Sequence, residues 1–213
     1  MLPFALVITV LTSACRAESL PQLEPGKDPF AKLRRQMVAV QLAGRDIRDE
    51  EVLRVMMRVP RHLFVGEKWR EYAYADHPLP IGEDQTISQP YIVAYMTQAL
   101  QLEAGERVLE VGTGSGYQAA VLGELAAEVY TIEIVSVLAR RSKVLLAELG
   151  YENVYVREGD GYRGWPEQAP FDAVMVTAAP DHLPEPLLEQ LKMGGRLVLP
   201  VGDSYQELLR LTK

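Results

Sequence analysis

The chain is poor in the residues that most often carry covalent or metal chemistry. A single cysteine, Cys15, excludes an internal disulfide framework and any cysteine-based metal cluster. Three histidines lie far apart in the sequence, so no metal site is expected. Basic residues are outnumbered: 22 Lys and Arg against 29 Asp and Glu leave a formal charge of −7. Without a basic stripe, a broad nucleic-acid footprint is not expected. Long apolar runs are scarce too. Leu2 to Leu11, interrupted by Thr9, is too short to span a bilayer. There is no internal repeat and no low-complexity segment.

What remains is an ordinary globular composition, 48% hydrophobic and 24% charged over 213 residues, enough for one sizeable α/β core. The amino terminus is set apart. Thr12-Ser13-Ala14-Cys15 after the apolar run has the small residues of a bacterial lipoprotein cleavage site, but no positive segment precedes the run. Export or lipid anchoring through Cys15 and a misassigned start are equally open readings. Residues 1–27 are therefore expected to be a signal-like segment followed by a Pro-rich polar linker from Arg16 to Lys27. Contact with a membrane is expected only if that segment is a lipoprotein signal.

From Asp28-Pro29 onward, Phe30, Leu33, Met37, Val40 and Ala43 recur at helical spacing up to Gly44, predicting one amphipathic helix. A second is predicted from about Asp49, with Val52, Leu53 and Met56 inward, stopping at Pro60. Residues 61–85, with Tyr72, Tyr74, His77, Pro78 and Pro80, read as a long irregular stretch of the kind that carries function. Ser88-Gln89-Pro90 then opens a helix whose apolar face includes Ile92, Tyr95, Met96 and Leu100. After Leu102 the rhythm alternates: strands at 107–111, 129–132, 153–157, 171–176 and 195–201, with helices from 117, over 136–149 and over 184–192. Such alternation predicts a mostly parallel, doubly wound α/β sheet of Rossmann-like kind, preceded by amino-terminal helices.

The first strand of that series runs into Gly112-Thr113-Gly114-Ser115-Gly116-Tyr117. Glycine suits a strand that reverses tightly into a helix, and the lack of a Cβ lets a ligand approach the backbone. About twenty residues past Gly112, the next apolar run ends in Glu133, where a carboxylate can accept hydrogen bonds from two ribose hydroxyls. A dinucleotide fingerprint asks for glycine or alanine where this chain has Tyr117. No basic residue within 115–125 stands ready for a pyrophosphate. The combination favours S-adenosylmethionine over a nicotinamide dinucleotide. Asp160-Gly161, at the end of the third strand, is a candidate for the adenine amino group, with a plain Asp-Gly turn as the competing reading.

Three further stretches carry a resemblance: Val59-Pro60-Arg61-His62-Leu63-Phe64-Val65, Asp76-His77-Pro78-Leu79-Pro80-Ile81-Gly82, and Gln85-Thr86-Ile87-Ser88-Gln89-Pro90. With the 108–116 loop, Val156 to Gly161 and Pro170-Phe171-Asp172-Ala173, the chain from Phe30 to Leu211 resembles the protein-L-isoaspartate O-methyltransferases. The resemblance implies a class I S-adenosylmethionine-dependent methyltransferase fold. It also implies methylation of the free carboxylate of isoaspartyl residues in aged proteins, whose ester collapses to a succinimide that hydrolyses back toward aspartate. Damaged proteins and peptides are the implied partners, with S-adenosylmethionine as methyl donor and no metal. A monomer in the cytoplasm is expected on the same ground. The domain division follows: 28–213 as the methyltransferase domain, with 28–101 as the helical, substrate-facing region and 102–213 as the cofactor-binding core.

The family's active-site serine falls on Ser88. Its cofactor contacts fall on Gln85, Thr86, Ile87 and Ser88, on Glu133, on Asp160 and Gly161, and on Gln206. The loop from Glu110 through Gly112, Thr113, Gly114 and Gly116 is expected to seat the methionine and ribose portions. On chemistry alone, the Ser88 hydroxyl can orient an incoming carboxylate, already a competent nucleophile at neutral pH. At a helix start before Gln89-Pro90, it equally reads as an N-cap. His62 and His77 read as packing or hydrogen-bonding residues rather than general bases, and Arg61 as either an anion-attracting or a solvated side chain.

Two departures stand out. Asp84 occupies a place where the family commonly has glycine, and the chain stops at Lys213, where the family usually continues through a last strand; without that strand a sheet edge is unpaired unless another element covers it, and a fragment is the other reading. Other readings remain. A methyltransferase on the same fold can act on another acceptor, although Thr177-Ala178-Ala179-Pro180 lacks the Asn/Asp-Pro-Pro-aromatic motif of amino-methylating DNA enzymes. A protein that binds the cofactor without turnover is the third reading.

Overall fold

The computed structural model describes residues 28–178, 183–202 and 207–213. The expectations for the apolar amino-terminal run, Cys15 and Gln206 lie outside them. Helices α1 (Ala31–Gln36), α2 (Glu50–Arg58) and α3 (Pro90–Leu100) precede the core, and a hairpin, β1 (Leu79–Gly82) and β2 (Gln85–Ile87), lies between α2 and α3. The core comprises β3 (Arg107–Val111), α4 (Tyr117–Gly123), β4 (Glu128–Glu133), α5 (Ser136–Glu148), β5 (Val154–Glu158), β6 (Phe171–Val176), α6 (Glu185–Glu189), β7 (Leu191–Val201) and β8 (Glu207–Thr212).

The six core strands form one sheet in the order β5-β4-β3-β6-β7-β8. All neighbours are parallel except β7 and β8, which pair antiparallel from Arg196 opposite Thr212 to Val201 opposite Glu207. Val108, Leu109, Val174 and Leu197 are fully buried, as strands covered on both faces require. The chain winds outward from β3 to β5 and returns to β6 on the other side of β3. That reversal opens a crevice at the carboxyl ends of β3 and β6, where ligands of such sheets sit. β8 is not among the five strands expected from the sequence. No residue of it is fully buried, and its apolar residues Leu208, Leu209 and Leu211 give no clear two-residue alternation to read.

Two other expectations are corrected. The first amphipathic segment continues from α1 into a π-helical turn over Met37–Leu42. The wider turn rotates the inward face, so Met37, Val38 and Leu42 are buried while Leu33 and Val40 are exposed. The stretch expected to be irregular over 61–85 contains short 3₁₀ turns and then the β1–β2 hairpin. The second helix starts as expected, with Asp49 Oδ1 accepting the N–H groups of Glu51 and Val52 at 2.9 and 3.2 Å. Its buried residues Val52, Val55 and Met56 join one apolar cluster with Met37, Phe64, Tyr117, Ala120 and Leu138. The amino-terminal elements thereby pack beside α4 and α5, next to the glycine loop rather than at the far edge of the sheet.

Candidate functional site

A cleft of about 330 Å³ opens at the β3/β6 crevice. It brings together Gln85 to Ser88 from the hairpin and its exit, Val111 to Ser115 from the glycine loop, Glu133 to Val135 after β4, and Asp160 to Tyr162 after β5. Residues more than 70 positions apart in sequence thus face one space, of the size that small-molecule sites have.

The glycine loop turns because its residues permit it. Gly112 has φ +100°, and a Cβ there would lie 2.4 Å from Thr177 Oγ1. The Thr177 hydroxyl sits against the loop and donates to the carbonyls of Gly112 and Val111 at 2.7 and 3.0 Å. Gly116, at φ +86°, makes the left-handed step into α4 and is buried behind the loop, outside the cleft lining. Thr177 stands one residue beyond the carboxyl end of a central strand, where the sequence places Thr177-Ala178-Ala179 among the ligand-facing ends, and it lines the cleft.

Glu133 is nearly buried, and both of its oxygens are engaged by backbone. Oε2 accepts the N–H of Gly114 at 2.7 Å and Oε1 that of Val135 at 2.9 Å. Each oxygen keeps a further lone pair toward the cleft. Glu110 takes a different place from the one expected. It is fully buried and absent from the cleft lining. A chain of hydroxyls links it to the loop: Thr113 Oγ1 lies 2.6 Å from Thr131 Oγ1, which donates to Glu110 Oε2 at 2.6 Å. Glu110 Oε1 has no partner, and burial pushes the carboxyl up to about 8. Glu110 therefore supports the loop from below. Val111 lines the cleft, and successive strand residues point to opposite faces, so its neighbour Glu110 falls on the other side.

Asp160 lines the cleft, and its Oδ1 also accepts the N–H of Tyr162 at 3.0 Å, so the Asp-Gly turn and a cleft-facing carboxylate coexist. Gly161 packs against β3, where a Cβ would lie 2.3 Å from Val111 Cγ1. Gln85 and Thr86 are exposed on the cleft rim, whereas Ile87 is buried. Ile92, Val93, Met96, Tyr117, Gln118, Ile134 and Tyr162 are among the lining residues that the sequence reading did not assign to the site. Ile92 and Tyr95, expected to face the core, are partly exposed instead, and α3 buries Val93, Ala94, Met96 and Leu100.

Ser88 is not the N-cap of α3. Pro90 takes the first helical position, which makes Gln89 the cap residue, without a side-chain capping bond. The Ser88 hydroxyl has no partner among the described residues and lines the cleft. Arg61 is neither solvated nor at the cleft surface. It is fully buried and donates to the carbonyls of Ala73 and Ser88. His62 packs its ring 4.4 Å from that of Phe30. Its Nδ1 lies 2.8 Å from the Tyr74 hydroxyl, which accepts from Arg34, and burial pulls the imidazole down to about 4. A neutral packing residue results. His77 is exposed, with Nδ1 2.9 Å from the Pro78 carbonyl. Asp84 lies outside the cleft lining, at the hairpin tip. Among the described residues no three His, Cys, Asp or Glu side chains gather where a metal could bind, and no described helix is long and apolar enough to cross a membrane.

The family model described as protein-L-isoaspartate(D-aspartate) O-methyltransferase matches residues 33–213. A protein-L-isoaspartate O-methyltransferase of Synechococcus sp. (strain JA-2-3B'a(2-13)) is 59% identical over 189 residues, covering 87% of this chain and 78% of its own length. A solved protein-L-isoaspartate O-methyltransferase superposes with a TM-score of 0.78 at 31% identity, over 84% of this chain and 60% of that one. A putative protein-L-isoaspartate O-methyltransferase of Plasmodium falciparum, solved in complex with S-adenosyl-L-homocysteine, gives a TM-score of 0.73 at 26% identity, over 84% of this chain and 89% of that one. With a match that runs from within α1 through β8, spanning glycine loop, hairpin and cleft alike, the chain belongs to the protein-L-isoaspartate(D-aspartate) O-methyltransferase family.

Proposed function

We propose that the cleft transfers a methyl group from S-adenosylmethionine to the free carboxylate of L-isoaspartyl residues in damaged proteins and peptides, the step that initiates their repair. One observation carries the reading of the site: Ser88, whose hydroxyl has no partner among the described residues, lines the same cleft as the glycine loop and Glu133. The residues fit such a cofactor. Gly112 and Gly114 present bare backbone, Glu133 offers a carboxylate beside them, Asp160 offers another at the end of β5, and Ile134 and Val135 add apolar surface between the two. When bound, the cofactor supplies an electrophilic methyl group on a sulfonium sulfur.

The chain's own residues then have modest tasks. An isoaspartyl carboxylate is ionised at neutral pH and needs no base to act as a nucleophile. Ser88 donates a hydrogen bond that orients one carboxylate oxygen, leaving the other to attack. Holding nucleophile and methyl carbon in line near contact distance accounts for most of the acceleration such a reaction requires. In this reading Gln85, Thr86 and Ile87 flank the donor, the loop from Gly112 to Gly114 seats its methionine and ribose portions, Glu133 binds ribose hydroxyls and Asp160 reads adenine. Glu110 acts beneath the loop. A monomer in the cytoplasm is part of the same reading and rests on the family resemblance. Mass spectrometry of the mature amino terminus distinguishes it from export or anchoring through Cys15.

The test is a methyl-transfer assay on an isoaspartyl peptide and its ordinary aspartyl twin, with the unaltered protein and Ser88→Ala. Labelling of the isoaspartyl peptide alone is expected, with kcat lowered roughly 10² to 10³-fold in Ser88→Ala, the range for losing one aligned donor. Equal labelling of both peptides overturns the repair assignment. Cofactor binding without labelling of either supports a binding protein without turnover.

A further inference from the structure

Among the described residues Arg61 is the largest fully buried side chain, and no described carboxylate pairs with it. Its Nε donates to the Ala73 carbonyl and its Nη2 to the Ser88 carbonyl, each at 2.7 Å. The guanidinium carbon lies 4.9 Å from the centroid of the Tyr117 ring, and Nη1 has no partner. Burial lowers its pKa only to about 10, so the group remains cationic at neutral pH. Burying an unpaired charge costs several kcal/mol, and an apolar side chain of similar volume is often as stable or more so. Stability therefore gives no reason for an arginine here.

Its geometry does. The planar fork reaches two carbonyls at once while its carbon sits over an aromatic ring, a set of fixed donor directions that an ammonium does not supply. The two things it joins belong to opposite halves of the cleft. Ser88 is the candidate substrate-orienting residue, and Tyr117 is the first residue of α4, directly after Gly116 of the glycine loop. We propose that Arg61 is a positioning residue for methyl transfer, pinning the Ser88 peptide against Tyr117 so that substrate and donor halves are held in one register. The role rests on the activity proposed above and acts through Ser88 without contact to substrate.

A double-mutant cycle with Arg61→Lys and Ser88→Ala tests it, with kcat and KM measured on the isoaspartyl peptide and folding checked by circular dichroism. Arg61→Lys alone is expected to lower kcat roughly 10 to 100-fold with KM changed little, because a misplacement of about 1 Å costs about that much. In the Ser88→Ala background the same change is expected to cost less than about 2-fold, since residues acting as one unit are non-additive. Additive losses, or a rise in KM alone, overturn the positioning role and leave the methyl-transfer reading standing. Absence of labelling by the unaltered protein overturns both. If Arg61→Lys does not fold, nuclear magnetic resonance of the unaltered protein replaces the cycle. The Arg61 Nε–H signal is expected to shift with the isoaspartyl peptide and not with its aspartyl twin, and an unmoved signal overturns the proposal.

Discussion

The Glu133 carboxylate accepts the backbone N–H of Gly114 at 2.7 Å, so the residue proposed to bind ribose also holds the middle glycine of the loop. Its other oxygen holds Val135. In Glu133→Gln one oxygen becomes an amide donor that cannot accept either N–H. Loss of a hydrogen bond to a charged group costs about 1.5–3 kcal/mol, so affinity for S-adenosylmethionine is expected to fall roughly 10 to 100-fold. Isothermal titration calorimetry measures this directly, and an unchanged Kd would remove Glu133 from the donor site.

The hairpin tip is strained. Gly82 pairs with Gln85, leaving Glu83 and Asp84 as a two-residue turn, both with φ +53°. Left-handed backbone costs a residue with a Cβ about 1–2 kcal/mol and glycine little. Asp84→Gly is expected to stabilise the protein by about 1 kcal/mol and raise Tm by about 2–4 °C. A lower Tm in a thermal melt would contradict this account of the tip.

Two buried groups give stability opposite slopes with pH. Glu110 titrates near 8 when folded and near 4.5 when unfolded, so the native state holds the extra proton between those values and stability falls as pH rises through them. His62 titrates near 4 when folded and near 6.5 when unfolded, so stability rises with pH between 4 and 6.5. Glu110→Gln, which mimics the protonated carboxyl, is expected to match the unaltered protein near pH 5 and to melt higher at pH 8.5. Parallel melting curves across the range would rule out an ionisable burden at Glu110.

Reading the sequence located the parallel sheet, because strands buried on both faces are continuous apolar runs and the helices between them keep a regular spacing. It also located the glycine loop, whose backbone requirement is met by one residue type. The hairpin at 79–87 was hidden: its turn residues Glu83 and Asp84 are not the glycine or asparagine that such turns favour. The inward face of 37–42 was hidden as well, because a π-helical turn breaks the 3.6-residue period on which the reading depends. Ile134 and Tyr162 carry no motif of their own and join the site only by facing it.

By itself the sequence determined the alternation of five core strands, β3 to β7, with their helices, the glycine turn and the acidic residue at the end of β4, since these depend on local periodicity and on conformations that few residues adopt. Which of those residues reach the cleft was decided only in three dimensions. Glu110 and Gly116 belong to the loop motif yet face away from the ligand space, while Ser88 escapes a capping role because Pro90 moves the helix start past it. Arg61 is of a type usually found at the surface, yet it is fully buried and tied to Ala73 and Ser88. The physical reason is that side-chain burial and partnership arise from contacts between segments distant in sequence, which no local pattern encodes.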